Sequence, residues 1–176
     1  MNIVSVREGN FEDVDQIAEI HVHAWQDAYK DILPQNFLDG LSAERRANQW
    51  RESIKVNQSN GQNGLFVVSD GNKIYGFAAC GAARDKDFSG YGELFAIYVS
   101  PEYQKHGYGS KLFEKVRSFL VNKGFNRAYV WSLEKNTPAH KAYEKWGASK
   151  ISGQTKPIDL EDNQFFEIAH SWEWKA

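Results

Sequence analysis

The sequence predicts an α+β fold: an α/β/α sandwich with a mixed, mainly antiparallel central sheet of about six to seven strands and helices on both faces. Two strand-like runs, 65–69 and 73–82, flank Asp70-Gly71-Asn72, a turn sequence typical of an antiparallel hairpin. Residues 166–174 alternate between apolar and polar types, which predicts a further strand. Other segments repeat apolar residues at steps of three and four, which predicts helices with one buried face.

Length and composition indicate one ordinary folded domain. We expect residues 1–176 to form a single domain, because a chain of this length can bury a substantial core. Hydrophobic residues make up 41% and charged residues 25%, and the formal charge is -2. Such a chain lacks the basic field that nucleic-acid binding requires, so we expect no nucleic-acid partner.

Several features of the sequence are typical of a cytoplasmic protein. Cys80 is the one cysteine, so no internal disulfide is possible, which is typical of a reducing compartment. No apolar run approaches the roughly 20 residues of a membrane span, and the first residues do not resemble a secretory signal. We therefore expect a cytoplasmic location and no membrane partner.

The first half of the chain predicts helices that follow a short strand. Asn10 and Ser42 are residue types that cap helix starts, and the segment after Asn57 is polar. The expected elements are a strand at 3–7, a helix from Asn10 to about residue 30, a helix from Ser42 to about residue 55, and a loop at 57–64.

The second half alternates strands and helices. Residues 94–99 are apolar on both faces, which predicts a central strand that Pro101 ends. The expected elements after it are a helix from Gly107 to Gly124, a strand at 128–133, a helix that opens at Thr137-Pro138 and ends before Gly147, and the tail strand. The edge of that tail strand is available to a second copy of the chain, giving a homodimer, or to an internal cover.

One segment points to phosphate chemistry. Between the central strand and the next helix stands Gln104-Lys105-His106-Gly107-Tyr108-Gly109-Ser110. Glycines let a ligand approach the backbone closely, and the N–H groups at a helix start favour an anion. Lys105 and His106 add positive charge, so we expect a phosphate here.

This segment resembles the acyl-CoA loop of the GCN5-related N-acetyltransferase (GNAT) superfamily, Gln/Arg-x-x-Gly-x-Gly/Ala, at Gln104, Gly107 and Gly109. Further along, residues 136–147 resemble that family's Asn-x-x-Ala-x-x-x-Tyr-x-x-x-Gly segment, with Ala148 in place of the common Phe. The resemblance covers about residues 92–148. The N-terminal third resembles the family only loosely, and the segment from His21 to Tyr29 is given no function from it.

The resemblance implies acetyl-CoA as co-substrate, no metal, and a β-bulge with a splay at the fourth strand of a GNAT-like sheet. It also implies which residues bind the cofactor. These are Ile97, Tyr98, Val99, Gln104, Lys105, His106, Gly107, Tyr108, Gly109, Ser110, Asn136 and Tyr143.

Two residues are candidates for acid–base chemistry. The resemblance implies that the hydroxyl of Tyr143 faces the cofactor sulfur and protonates the leaving thiolate; the alternative is a core aromatic. Glu93 begins the central strand, and strict alternation would place it on the face of Ile97 and Val99. We expect Glu93 to act as general base, directly or through water; the alternative is a strand-end residue that reaches solvent.

The activity that these observations predict is transfer of an acetyl group to a primary amine of a small molecule or peptide, by direct attack in a ternary complex. Two alternatives stay open: a non-catalytic module that binds or senses acyl-CoA, and transfer of another acyl group. Acidic residues near the central strand, Asp85, Asp87 and Glu93, point to a cationic acceptor.

Overall fold

The computed structural model describes residues 3–175, which form one seven-stranded sheet in the order β1-β2-β3-β4-β5-β7-β6. The predicted single domain also includes residues 1, 2 and 176, which lie outside the described part. The strands are β1 (Ser5–Glu8), β2 (Gly64–Ser69), β3 (Ile74–Ala82), β4 (Gly92–Val99), β5 (Arg127–Leu133), β6 (Ser149–Leu160) and β7 (Asn163–Glu173). The helices are α1 (Val14–Tyr29), α2 (Gln35–Asp39), α3 (Ala43–Asn60), α4 (Tyr108–Asn122) and α5 (Thr137–Lys145).

The layers confirm the predicted fold class. Within residues 3–175, β4 and β5 pair in parallel and every other pairing is antiparallel. Helices α4 and α5 pack on one face, where Leu112 and Tyr143 join the largest buried cluster. Helices α1 and α3 cover the other face, where Ile17 packs against Phe77. The molecule is thus an α/β/α sandwich.

The start of the first helical segment follows the predicted cap. The Asn10 side chain accepts a hydrogen bond from the Glu12 N–H, and the Asp13 carboxylate accepts one from the Asn10 N–H, both at 2.8 Å. This reciprocal pair satisfies two of the N–H groups that a helix start leaves unbonded. Arg7 of β1 donates to Asp13 at 2.7 Å and ties the helix start to the sheet.

Three elements differ from the sequence-based expectation. Helix α3 continues to Asn60 instead of ending near residue 55, so the predicted loop at 57–64 is wrong in its first part. Its end is stabilised because Asn57 exchanges hydrogen bonds with the Asn63 backbone and Gly61 adopts a left-handed φ of 60°. The short helix α2 and strand β6 were not predicted as separate elements.

The central strand carries the predicted bulge and splay. Ala79 pairs with Ala96 and Cys80 with Leu94, so Phe95 is an extra residue on β4. Strand β5 pairs with β4 only at Gly92 and Glu93, and beyond them the two strands separate. The sheet therefore opens where β4 passes Phe95.

The bulge also corrects the predicted position of Glu93. Leu94 and Ile97 pack into the same cluster although they are an odd number of positions apart, three, because Phe95 shifts the alternation by one. Glu93 consequently lies on the face opposite to Ile97, not on the same face as expected.

The tail strand is not an edge of the sheet. Strand β7 lies between β5 and β6, so β6 covers its second side within the chain. Of the two possibilities for that edge, the internal cover is the one that the structure shows. Among residues 3–175, no helix has both the length and the apolar character that a membrane crossing needs.

Candidate active site

A cavity of about 400 Å³ lies where β4 and β5 separate. Its walls come from α1, β4, β5, the start of α4, and α5, so it reaches both faces of the sheet. Eight of the residues predicted for the site line it: Ile97, Tyr98, Val99, Gln104, Lys105, Gly109, Asn136 and Tyr143. Four others, His106, Gly107, Tyr108 and Ser110, lie in the adjoining turn and the first turn of α4.

The turn before α4 is shaped by two left-handed residues. Lys105 has a φ of 64° and Gly107, the residue that caps α4, has a φ of 79°. Nothing lies within 4 Å of the position that a Gly107 Cβ would occupy, so there is space for a side chain. Glycine is favoured here because of its left-handed backbone angle alone. The N–H groups of the first turn of α4 follow directly, as an anion site requires.

Two of the predicted cofactor residues hold this turn in place with their side chains. The His106 Nδ1 lies 2.8 Å from the Gln104 carbonyl oxygen, and the His106 ring stacks on Tyr108 with 5.7 Å between centroids. Tyr108 in turn stacks on Tyr75 of β3 at 5.3 Å. The rings of His106 and Tyr108 thus brace the backbone that faces the cavity.

Gly109 serves close packing of helices. A Cβ at this position would lie 3.3 Å from the Trp146 ring, which is tighter than ordinary contact. Trp146 also donates from Nε1 to the Ser110 hydroxyl at 3.0 Å. The two glycines of the motif therefore have different roles, since Gly107 permits the turn and Gly109 lets α4 approach Trp146.

Tyr143 lies in the wall between the two faces and is 7% exposed. Burial raises the pKa of its phenol above the ordinary value, so the hydroxyl stays protonated at neutral pH. Its ring packs against His170 and Trp172 from β7, each with 5.8 Å between ring centroids. A hydroxyl that is protonated and held in one position by the packing of its ring can act as a proton donor.

Two polar contacts connect the elements around the cavity. Asn136 caps α5, with its Oδ1 accepting from the Ala139 N–H at 3.3 Å, and its Nδ2 donates to the Tyr29 hydroxyl at 3.4 Å. From α1, Trp25 Nε1 donates to the Tyr98 hydroxyl of β4 at 3.0 Å. These contacts join α1, β4 and α5 around the opening in the sheet.

Glu93 does not line this cavity. Its carboxylate is 4% exposed and binds Arg84, whose Nη2 donates to Oε1 at 2.6 Å and whose backbone N–H donates to Oε2 at 2.9 Å. The role of Glu93 as general base, directly or through water, stays a prediction.

Several lining residues were not identified from the sequence. Trp25 and Tyr29 belong to the α1 segment that was given no function. Trp131 and Ser132 come from β5, beside the opening, and Glu167 comes from β7, the next strand of the sheet. The hydroxyl of Ser132 is buried without a hydrogen-bond partner among residues 3–175. Spacing gave no signal for these residues, because they come from elements far apart in the chain.

The model of the Acetyltransferase (GNAT) family matches residues 16–148, which include the whole turn, β5 and α5. The chain belongs to the GNAT acetyltransferase family. Across 168 residues it is 33% identical to YuaI of Bacillus subtilis, described as an uncharacterised N-acetyltransferase, covering 95% of this chain and 87% of that protein. The resemblance inferred from Gln104, Gly107 and Gly109 is thereby confirmed.

Solved structures of GNAT proteins share the fold. PaiA N-acetyltransferase from Thermoplasma acidophilum, in complex with coenzyme A, superposes with a TM-score of 0.74 at 17% identity, covering 98% of this chain and 99% of that one. The yncA protein from Salmonella typhimurium, described as a putative acetyltransferase with acetyl-CoA, gives 0.72 at 16% identity, with 99% and 95% covered. The chain therefore shares its overall fold with these two proteins.

As a GNAT N-acetyltransferase, the protein is an acyltransferase. Its one thiol, Cys80, is fully buried in β3, and burial raises the pKa of that thiol to about 12. Cys80 therefore stays protonated and is a core residue. Within residues 3–175 no group of three or more His, Cys, Asp or Glu side chains is arranged to hold a metal.

Proposed function

We propose that this GNAT protein transfers an acetyl group from acetyl-CoA to a primary amine of a small molecule or peptide, by direct attack in a ternary complex. The observation that carries the proposal is the single cavity that passes through the opening between β4 and β5, with Tyr143 in its wall. Such a cavity lets a thioester enter from the α4 side while an amine enters from the α1 side.

The α4 side of the cavity fits acetyl-CoA. Lys105 and the first turn of α4 offer a cation and backbone N–H groups to its phosphates. Ile97 and Val99 follow the last β5 pairing, so their strand offers backbone groups to a pantetheine arm. The buried hydroxyl of Ser132 adds a polar group that has no hydrogen-bond partner in the described part of the chain. PaiA and yncA, which share the fold, were solved with coenzyme A and acetyl-CoA respectively.

The reaction forms one C–N bond and breaks one C–S bond. Of the two protons that leave the ammonium nitrogen, one ends on the departing sulfur and one passes to solvent. Tyr143 is proposed to donate the proton to sulfur and to regain one from the solution. Backbone N–H groups of β4 beyond the bulge are proposed to stabilise the charge that develops on the carbonyl oxygen.

The proton acceptor is proposed to be Glu93, working through water. Its carboxylate faces Arg84 and lies near the hydroxyl of Tyr129, on the α1 side of the sheet. That position requires a relay, since the residue is not in the cavity wall.

Release of thiol from acetyl-CoA, followed with a chromogenic thiol reagent across a panel of amines, tests the proposed function. We expect thiol release that depends on both acetyl-CoA and an amine, with the acetylated amine as the second product. Binding of acetyl-CoA by calorimetry without turnover of any amine would favour the non-catalytic sensing module. Faster release from succinyl-CoA than from acetyl-CoA would identify another acyl donor.

A further inference from the structure

The α1 side of the cavity is an aromatic chamber with one carboxylate in its wall. We define the acceptor chamber by Trp25, Tyr29, Phe95, Tyr98 and Trp131. Trp25 and Tyr29 meet edge to face with 4.9 Å between ring centroids, and Trp25 is hydrogen-bonded to Tyr98. The chamber is therefore rigid and largely apolar, which suits an apolar body more than an extended polar chain.

The carboxylate is that of Glu167. It stands on β7 directly opposite Leu133 of β5 and Lys156 of β6, and its side chain is 20% exposed. Lys156 pairs with it across 3.5 Å, which is longer than the roughly 2.7–2.9 Å of a strong charged hydrogen bond. Lys156 itself is 42% exposed and is not part of the cavity wall. A partly buried carboxylate held this loosely favours a second cation inside the chamber.

The rings also suit a cation. The Lys156 ammonium lies 4.4 Å from the centroid of the Trp131 ring, and the Arg46 guanidinium lies 5.4 Å from that of Trp25. Both contacts show that these indole rings tolerate a neighbouring cation, and neither of the two cations lines the cavity. An ammonium between the rings and Glu167 would have a carboxylate and aromatic faces as partners at once.

The same wall disfavours other acceptors. Glu167 is the acidic residue that lines the chamber within residues 3–175, so the further charges of a polyamine would be desolvated there without partners. An acceptor with its own carboxylate beside the amine would bring two negative charges together near Glu167.

We propose that the acceptor is a primary amine with a single positive charge on an aromatic or aliphatic body, and that Glu167 is the residue that binds its ammonium group. This inference rests on the proposed function and names the substrate class of the same site. Glu167 here orients the nitrogen, and the aromatic chamber holds the body of the acceptor.

Paired amines test the substrate class. Phenethylamine and phenylalanine differ by one carboxylate, and butylamine and spermidine differ in the number of charges. We expect kcat/KM to be at least about tenfold higher for the first member of each pair, corresponding to about 1.4 kcal/mol of transition-state binding. A preference for phenylalanine or spermidine would overturn the inference and leave the proposed function standing. If no amine were turned over, both this inference and the proposed function would be wrong.

A variant pair tests Glu167 itself. We expect Glu167→Gln to raise the KM for phenethylamine about tenfold or more, with an unchanged KM for acetyl-CoA, because a neutral amide loses most of the attraction for an ammonium. Glu173→Gln is the matched control, since Glu173 is on the same face of β7, six residues or roughly 20 Å away. Equal amine KM values in both variants, with unfolding temperatures equal to wild type, would exclude Glu167 as the ammonium-binding residue.

Discussion

The guanidinium of Arg84 binds both oxygens of the Glu93 carboxylate, with Nη2 at 2.6 Å from Oε1 and Nε at 3.2 Å from each oxygen. The Arg84 backbone N–H donates a further hydrogen bond to Oε2. The contact raises the pKa of the Arg84 guanidinium. Burial, together with the Glu93 carboxylate, raises the pKa of the Tyr129 phenol. Glu93, which was predicted from the sequence as a general base, is thus held in an ion pair with Arg84.

Replacement of Glu93 therefore affects stability. We expect Glu93→Gln to lower the free energy of unfolding by about 1–3 kcal/mol, because an amide NH₂ would face the Arg84 donors inside a buried site. Urea denaturation measures the change, with Asp87→Asn as the control for an exposed carboxylate nearby. The pH–rate profile of Glu93→Gln tests whether Glu93 is a general base that acts through water. Loss of the acidic limb of the profile would support that role, and an unchanged acidic limb would show that Glu93 has a structural role alone.

Tyr143 is expected to affect turnover without affecting cofactor binding. Tyr143→Phe should lower kcat about 10²-fold or more, since the raised pKa keeps the wild-type hydroxyl protonated and ready to donate, and Phe carries no proton. The affinity for acetyl-CoA, measured by calorimetry, should stay nearly the same. Tyr91→Phe, a change outside the cavity, is the control. A wild-type kcat in Tyr143→Phe would show that Tyr143 is not the general acid.

The turn before α4 is expected to be sensitive to its backbone angle. Gly107→Ala should raise the KM for acetyl-CoA and cost about 1–2 kcal/mol of stability, because an L side chain disfavours a φ of 79°. Gly90→Ala is a matched control, since Gly90 has a φ of 84° in a loop away from the cavity and no atom within 4 Å of its Cβ position. The control should lose similar stability and keep the KM. Parallel KM changes in both variants would contradict a specific role for the turn.

His21 is expected to make stability depend on pH. Burial, with Arg46 nearby, lowers the pKa of His21 to about 3, and its Nδ1 accepts a hydrogen bond from Trp50 Nε1 at 3.3 Å. Below the ordinary pKa of about 6.5, the unfolded chain binds a proton that the folded protein does not. Stability contributed by the neutral ring is therefore present above pH 6.5 and is lost on acidification at about 1 kcal/mol per pH unit.

Substitution of His21 checks this slope. His21→Asn keeps an acceptor for Trp50 but does not titrate, so its unfolding free energy should fall less between pH 6.5 and pH 5 than that of wild type. His23→Asn, at an exposed position two residues further on, should retain the wild-type slope. Identical slopes for His21→Asn and wild type would exclude His21 as the source.

Much of the fold was predictable because its signals are local. The cap at Asn10 and the hairpin at Asp70-Gly71-Asn72 depend on a few neighbouring residues, and the structure confirms both. The end of α3 was missed because the residues after Asn57 are polar and their pattern does not distinguish an exposed helix end from a loop. Strand β6 was missed because Gly153 and Pro157 lie within it, and both residue types are unfavourable inside a strand.

The sequence by itself determined the family and the end of the cavity that is proposed to bind the cofactor, since Gln104, Gly107 and Gly109 are close neighbours in the chain, as are Asn136, the cap of α5, and Tyr143 within α5. Tertiary structure alone decided the end that is proposed to bind the acceptor. One extra residue at Phe95 turned Glu93 away from Ile97, and the insertion of β7 between β5 and β6 brought Glu167 to the cavity. Strand order and the position of a bulge depend on the packing of the whole sheet, which no local pattern of residues specifies.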